Sequence, residues 1–167
     1  MFPNYMKNPL IYMLVGIPGS GKSTWVSSQP WTKDCVYVST DKHVEEYARS
    51  QGTTYSEVFE EYMPIAVSRM MEDVQKAREG NKDIIWDQTN VSKKSRAKKL
   101  DVLCNYDAIA VYFNTPDRDT LRFRLDNRPG KTIPWRVITQ MAGNLQEPTL
   151  DEGFAEIWQI TTAENAK

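Results

Sequence analysis

Within GIPGSGKSTW, residues 16–25, Gly16, Gly21, Lys22 and Ser23 fall in the order G-x-x-x-x-G-K-S. This spacing suits a ligand with closely packed negative charge. Glycines let the backbone turn inward so that its N–H groups converge on phosphate oxygens, and the N-terminus of a following helix adds partial positive charge. Gly19, Ser20 and Thr24 complete the cradle. Lys22 is placed to reach the β- and γ-phosphates, and the Ser23 hydroxyl to bind Mg²⁺. A glycine turn between strand and helix also serves as a bare connector. Here the apolar run LIYMLV precedes it and a helix-forming stretch follows, which is the context the motif needs. The pattern predicts a bound nucleoside triphosphate.

Two carboxylates bear on what becomes of the phosphate. Asp87 ends the apolar run in IIWDQTN, where it either orients Mg²⁺ and its waters or caps the next helix. Asp41 follows CVYVST and is either a helix N-cap or a general base toward an acceptor hydroxyl, a role typically worth ~10²–10⁴ in rate. In FRLDNRPGKTIP, Arg124 and Arg128 flank a turn rich in glycine and proline. The turn is either a basic surface loop or a mobile cover whose guanidinium meets the spread charge of a phosphoryl group in transfer, worth ~10³–10⁵. The chain lacks the Thr/Gln switch arrangement and the guanine signature of a GTPase. Transfer to a hydroxyl is the better reading, with Asp41, Lys22 and Arg128 catalytic. The nucleotide set is Gly16, Gly19, Ser20, Gly21, Lys22, Ser23, Thr24, Arg124 and Arg128, and the metal set Ser23 and Asp87.

These residues need a scaffold that brings them to one edge. Short apolar runs at 10–15, 35–38, 83–86, 108–113 and 156–160 read as strands, and the segments at 24–29, 56–79, 92–103, 116–124 and 134–145 as helices. Pro64 kinks the long helix or restarts it. Alternating strands and helices imply right-handed crossovers and a parallel sheet covered on both faces. Ligands of such sheets bind at the carboxyl ends of the strands, where Gly16, Ser39–Asp41, Asp87–Asn90 and Asn114–Thr115 would gather. The expected fold is α/β, a three-layer P-loop NTPase sandwich with about five parallel strands. One domain is expected over 1–167, with a small arginine-bearing lid at about 118–136.

Composition narrows the class. The chain has 167 residues, 40% hydrophobic and 26% charged, with a formal net charge of −1. That balance argues against a protein that coats nucleic acid through charge alone, although KKSRAKK (residues 93–99) is a local basic run. If this run shares an edge with Asp41, a polymeric acceptor gains support; otherwise it is a solvated helix face. No run approaches the ~20 apolar residues that span a bilayer, and no signal peptide is evident, so a cytoplasmic protein without membrane attachment is expected. Cys35 and Cys104 are expected to be buried thiols. His43 receives no role, and most of the five tryptophans are expected in the core, with Trp135 beside the lid the one to watch for stacking.

GIPGSGKSTW, STD, WDQTN, Arg96 and the R-x(3)-R pair followed by GKTIP together resemble the kinase half of phage polynucleotide kinase and its small P-loop kinase relatives, over about residues 10–145. The resemblance implies ATP- and Mg²⁺-dependent transfer of a γ-phosphate to a hydroxyl of DNA, with no protein partner indicated, in a host cytoplasm if the chain is phage-encoded. It implies ATP and metal at Lys22 and Ser23, the base at Asp41, and phosphate contacts from Arg128 and, less directly, Arg124. The phosphatase domain of the phage enzyme has no counterpart here. The family's acceptor-phosphate arginine, three residues past the base, is replaced by Val44. Relatives with similar motifs phosphorylate the hydroxymethyl group of 5-hydroxymethyluracil within DNA, which this replacement disfavours less than a 5′-hydroxyl end. A small-metabolite or nucleoside kinase is the alternative, and a non-enzymatic ATP-dependent switch the third.

Overall fold

A computed structural model describes residues 7–161. Its centre is a five-stranded sheet in the order β2-β3-β1-β4-β5, comprising β1 (Leu10–Val15), β2 (Val36–Val38), β3 (Ile84–Asp87), β4 (Asp107–Phe113) and β5 (Glu156–Ile160). Every pairing is parallel. Side chains alternate across a strand, so Ile11, Met13 and Val15 enter one layer while Tyr12 and Leu14 enter the other. On the first face lie α3 (Tyr55–Glu79), through Met70, Val74 and Ala77, and α4 (Lys93–Val102), whose Leu100 packs inward beside Leu103. On the second face lie α1 (Lys22–Ser28) and a 3-10 turn at Pro30–Asp34, which supply Trp25 and Trp31 to a cluster with Tyr12, Trp158 and Phe113. The three expected layers are present. Trp86 is buried in the first layer and Trp135 packs, half-buried, against Ile17, Leu121 and Ile138, so all five tryptophans serve packing.

Helix α2 (Thr40–Ser50) leaves β2 and turns back through Gly52 into α3. The two helices bury Val44, Ala48, Val58 and Ala66 between them. Pro64 neither ends nor restarts α3, which runs 25 residues without interruption. The proline ring is exposed, on a side where water can satisfy the carbonyl it leaves unpaired. His43 bonds Asp73 at 2.7 Å and so ties α2 to α3. After β4 come α5 (Arg118–Asp126), a loop, and α6 (Trp135–Asn144), which pack Leu121 and Ile138 onto Ile17 of the phosphate loop.

Arg96 is fully buried at a junction of three segments. It forms a fork with Glu152 at 2.8 and 3.1 Å and donates to the carbonyls of Asn90 at 2.8 Å and Val91 at 3.3 Å. It fastens α4 to the loop after β3 and to the short turn at Leu150–Glu152. Arg96→Ala strands a nearly buried carboxylate and two carbonyls, and should lower unfolding free energy by about 3–5 kcal/mol in urea titrations. Of the cysteines, Cys35 is partly buried, with its thiol pushed up to about 11 by burial and by the nearby Asp83 and Asp34 carboxylates. Cys104, in contrast to expectation, is exposed, because α4 has already ended and the chain is turning at the surface.

Candidate active site

The phosphate loop joins β1 to α1 across the carboxyl edge of the sheet, held by a hydrogen bond from the Gly16 N–H to the Thr89 carbonyl at 3.0 Å. Gly19 and Gly21 adopt left-handed φ values of 84° and 99° that other residues rarely take. Gly16 is required for space: a Cβ there would stand 2.6 Å from Ser20 Oγ and 3.0 Å from Phe113 Cβ. Lys22 Nζ, at the mouth of the loop, donates to the carbonyls of Gly16 at 2.6 Å and Ile17 at 3.2 Å. Burial lowers its pKa to about 8 against the opposing pull of Asp87 and Asp41, while Arg128 and Lys131 lower it further.

A cleft of about 1250 Å³ opens above the loop. It brings together Gly19, Gly21, Lys22, Ser23 and Thr24, both carboxylates and both arginines. Neither carboxylate caps a helix. Ser39 caps α2 by accepting from the Lys42 N–H, and Ser92 caps α4 by accepting from the Ser95 N–H. Asp41 instead lies in the first turn of α2, where the helix dipole favours negative charge. Its Oδ1 accepts from Tyr55 Oη at 2.7 Å and its Oδ2 from Lys131 Nζ at 2.9 Å. Burial pushes this carboxyl up, but Lys131, the Tyr55 hydrogen bond and Arg128 outweigh it and leave the pKa below the ordinary aspartate value. Asp87 accepts a short hydrogen bond from Tyr37. Burial raises its pKa, with Lys22 and Tyr37 opposing. Burial and the adjacent carboxylates push the Tyr37 and Tyr55 hydroxyls far up, so both remain donors.

Residues of the segment 118–136 line the cleft. Arg124 donates to the Gly19 carbonyl at 3.0 Å, gripping the phosphate loop. Arg128 lines the cleft, and its Nη1 is buried without a hydrogen-bond partner. Ser20 Oγ is also buried without one. The unpartnered Arg128 nitrogen, at a cleft lined by the glycine loop and Lys22, fits a polyphosphate, whereas Ser20 Oγ lies beneath the loop.

Residues 11–148 match the profile of AAA_33, an AAA domain. This chain belongs to the AAA_33 family. It has the P-loop kinase-like fold that the strand order and loop describe. A protein described as a kinase from Chloroflexus aurantiacus J-10-fl superposes with TM-score 0.70 at 14% identity, covering 93% of this chain and 89% of the other. A gluconokinase from Sinorhizobium meliloti 1021 superposes at 0.55 and 13% identity, covering 94% and 85%. A chain in the Pnkp1/Rnl/Hen1 RNA repair complex superposes at 0.65 and 25% identity; the match spans 86% of this chain and 46% of that one.

Several features of this AAA_33 domain were not evident from sequence. Tyr55 and Lys131 hold Asp41 from 14 and 90 residues away, and Tyr37 reaches Asp87 across 50. Lys131 belongs to GKTIP and so carried a weak signal; the two tyrosines carried none. The basic run 93–99 contributes nothing to the cleft lining. Arg96 points inward, and Lys99 bonds Asn90 and lies 5.3 Å over the Trp86 ring, leaving Lys93, Lys94 and Lys98 on an exposed face. Trp135 supports the lid beneath Arg122, 4.5 Å from its ring, and lies outside the cleft lining. Among the described residues no helix is long and apolar enough to cross a membrane.

Proposed function

We propose that this chain is an ATP-dependent phosphotransferase with a hydroxyl acceptor, and that the hydroxyl is carried by DNA. The observation that carries the transfer reading is Asp41. Its side chain is 49% exposed in the same cleft as Lys22, yet both of its oxygens are anchored. A carboxylate held in this way is suited to taking a proton. As the acceptor oxygen bonds to the γ-phosphorus, its proton passes to Asp41, the bond to the β–γ bridging oxygen breaks, and ADP leaves. Lys22 and the loop N–H groups hold the β- and γ-phosphates, and Arg128 meets the charge on the phosphoryl group in transfer. Ser23 and Asp87 would hold Mg²⁺, which typically takes one or two protein ligands beside phosphate and water oxygens. When bound, the ion would supply neutralisation of phosphate charge.

Support for a nucleic-acid acceptor comes from the motif set and from the 25% identity to a chain of an RNA repair complex, and the choice of DNA rests on the motif set alone. Val44 bears on which hydroxyl. It is fully buried between α2 and α3, so its position offers nothing to an acceptor phosphate. This favours a base hydroxymethyl group, as in 5-hydroxymethyluracil, over a 5′ end. A second reading, a small neutral alcohol, is favoured by the carboxylates of Glu45, Glu57 and Glu60 in the cleft and by the outward basic face of α4. Transfer of label from γ-labelled ATP separates these readings. The expected result is label on a 5′-blocked oligonucleotide containing 5-hydroxymethyluracil. Label only on a 5′-hydroxyl oligonucleotide selects the end kinase, and label only on small alcohols or nucleosides overturns the DNA acceptor.

Lys22→Ala should weaken ATP binding by about 10–100-fold whatever the acceptor, the effect of losing a charge-assisted phosphate contact. The native chain should lose ATP affinity as pH rises past about 8, where free Lys22 deprotonates. Calorimetric ATP titrations of both proteins from pH 6 to 9 check the pair; a flat native profile would remove Lys22 as the titrating group.

A further inference from the structure

Lys131 lies on the loop between α5 and α6, three residues beyond Arg128. Its ammonium group is 2.9 Å from Asp41 Oδ2, 3.4 Å from Glu45 Oε1 and 4.3 Å above the Tyr55 ring. Its side chain is 9% exposed, against 49% for Asp41. Both residues line the cleft, the lysine nearly buried and about half of the Asp41 side chain left open. Tyr55 holds the other oxygen, so the plane of the carboxylate is fixed from two directions. The loop that carries Lys131 is itself docked on the start of α3. The Ser56 N–H donates to the Gly130 carbonyl at 3.1 Å, and the Thr132 N–H donates to Ser56 Oγ at 2.8 Å. Gly130, at φ +69°, packs so closely that a Cβ would sit 3.2 Å from Thr54.

We infer that Lys131 is the positioning residue of the base: with Tyr55 it clamps Asp41, and it does so only while the loop bearing Arg128 is docked on α3. The inference rests on the reading of Asp41 as the base. Each Asp41 oxygen keeps a lone-pair site free, so the clamp does not consume its capacity to accept the substrate hydroxyl. A displaced clamp would misalign the base, and misplacement of about 1 Å can cost ~10²-fold.

The test compares Lys131→Met, Lys131→Arg and Tyr55→Phe with the native chain by two measurements. The first is the pH titration of the Asp41 carboxyl carbon by NMR, which needs no acceptor. Lys131 and Arg128 face this group from the lid, Lys22 from α1, Tyr55 from α3, Glu45 from its own helix, and Tyr37 and Asp87 from the neighbouring strands. Only one of them changes in each variant. Removing either clamp should move the Asp41 midpoint upward, and arginine at 131 should restore most of the shift. The second is steady-state transfer. Lys131→Met should lower kcat by about 10–100-fold with the KM for ATP within twofold, and Lys131→Arg should recover part of the loss. An unchanged Asp41 midpoint in Lys131→Met and Tyr55→Phe would overturn the clamp. A loss of ATP affinity parallel to the loss of kcat would make Lys131 a fastener of the lid alone. If the native chain phosphorylates no acceptor while the midpoint shifts as expected, the kinase reading falls and the clamp stands.

Discussion

Asp41→Asn should bind ATP as the native chain does and transfer its γ-phosphate at least 10²-fold more slowly, the loss expected when a general base is replaced by an isosteric amide. The substitution keeps the size of the side chain and its contact with Tyr55, so α2 and α3 should remain packed. It removes the site that takes the proton. ATP binding is spared because Lys22, Ser23 and the loop N–H groups supply the phosphate contacts, and the side-chain hydrogen bonds of Asp41 run to Tyr55 and Lys131 instead. The native pH profile carries a second signature. The Asp41 pKa is depressed, so the base is ionised above the usual carboxylate range and is lost only as pH falls through its lower folded value. Loss of the Asp41 base should therefore set no limb of the profile until pH falls below the ordinary aspartate range, and the Asp87 carboxyl, raised by burial, protonates first. Single-turnover measurements of the variant, paired with calorimetric ATP binding, check the split. Native turnover in Asp41→Asn would remove this residue from the chemistry.

Arg128→Ala should cost about 10³ in kcat, the order seen when an arginine that meets a transferring phosphoryl group is removed. Arg128→Lys should recover little, because a point charge cannot reproduce the planar fork. The sharper expectation concerns stability. Arg128 has a buried nitrogen with no partner, whereas every polar nitrogen of buried Arg96 is hydrogen-bonded. Burying a polar group without compensation is unfavourable, so Arg128→Ala should melt at or above the native temperature while turnover collapses. Arg96→Ala should do the reverse, losing stability first and activity only through it. Thermal melts and turnover measured on the two variants side by side separate an arginine held ready for a ligand from one that fastens the fold.

Much of the scaffold was legible because strand boundaries and glycine turns are local. LIYMLV, DIIW and AIAVYF name β1, β3 and β4 by composition and length, and the loop GIPGSGKS announces both its conformation and its ligand class. Pro64 does not restart the helix, because proline breaks one only where its neighbours cannot be satisfied otherwise, and an exposed position within 25 residues of well-packed helix tolerates it. The basic run 93–99 stayed undecided in the sequence, between the Asp41 edge and a solvated helix face, because charge is read there without direction, and it lies away from the cleft. Arg96 and Lys99 lie three apart, on the inner side of α4, and Glu152, which pairs with Arg96, lies 56 residues on. For the candidate site, Lys22, Ser23, Asp41, Asp87, Arg124 and Arg128 all line the cleft, while Gly16 and Ser20 lie beneath it as buried support of the loop. The clamp on Asp41 did not show. Tyr55 arrives through the α2–α3 turn and Lys131 through the lid, and no local pattern encodes contacts that depend on how two helices close.

The strand order also governs when the nucleotide loop can exist during synthesis. β1 sits at the middle of the sheet, and its partners are residues 84–87 and 107–113. Leu10 pairs with Asp107, which emerges far later in the chain. Parallel pairings of such separation are slow because loop closure precedes their reward. The α2–α3 pair, built on near-neighbour contacts, has no such delay. A ribosome-bound chain that ends before Phe113 thus holds a formed helical hairpin bearing Asp41 and Tyr55, while GIPGSGKS lacks one flank of its supporting strand. Nucleotide capture by stalled nascent chains should appear only once β4 has cleared the exit tunnel.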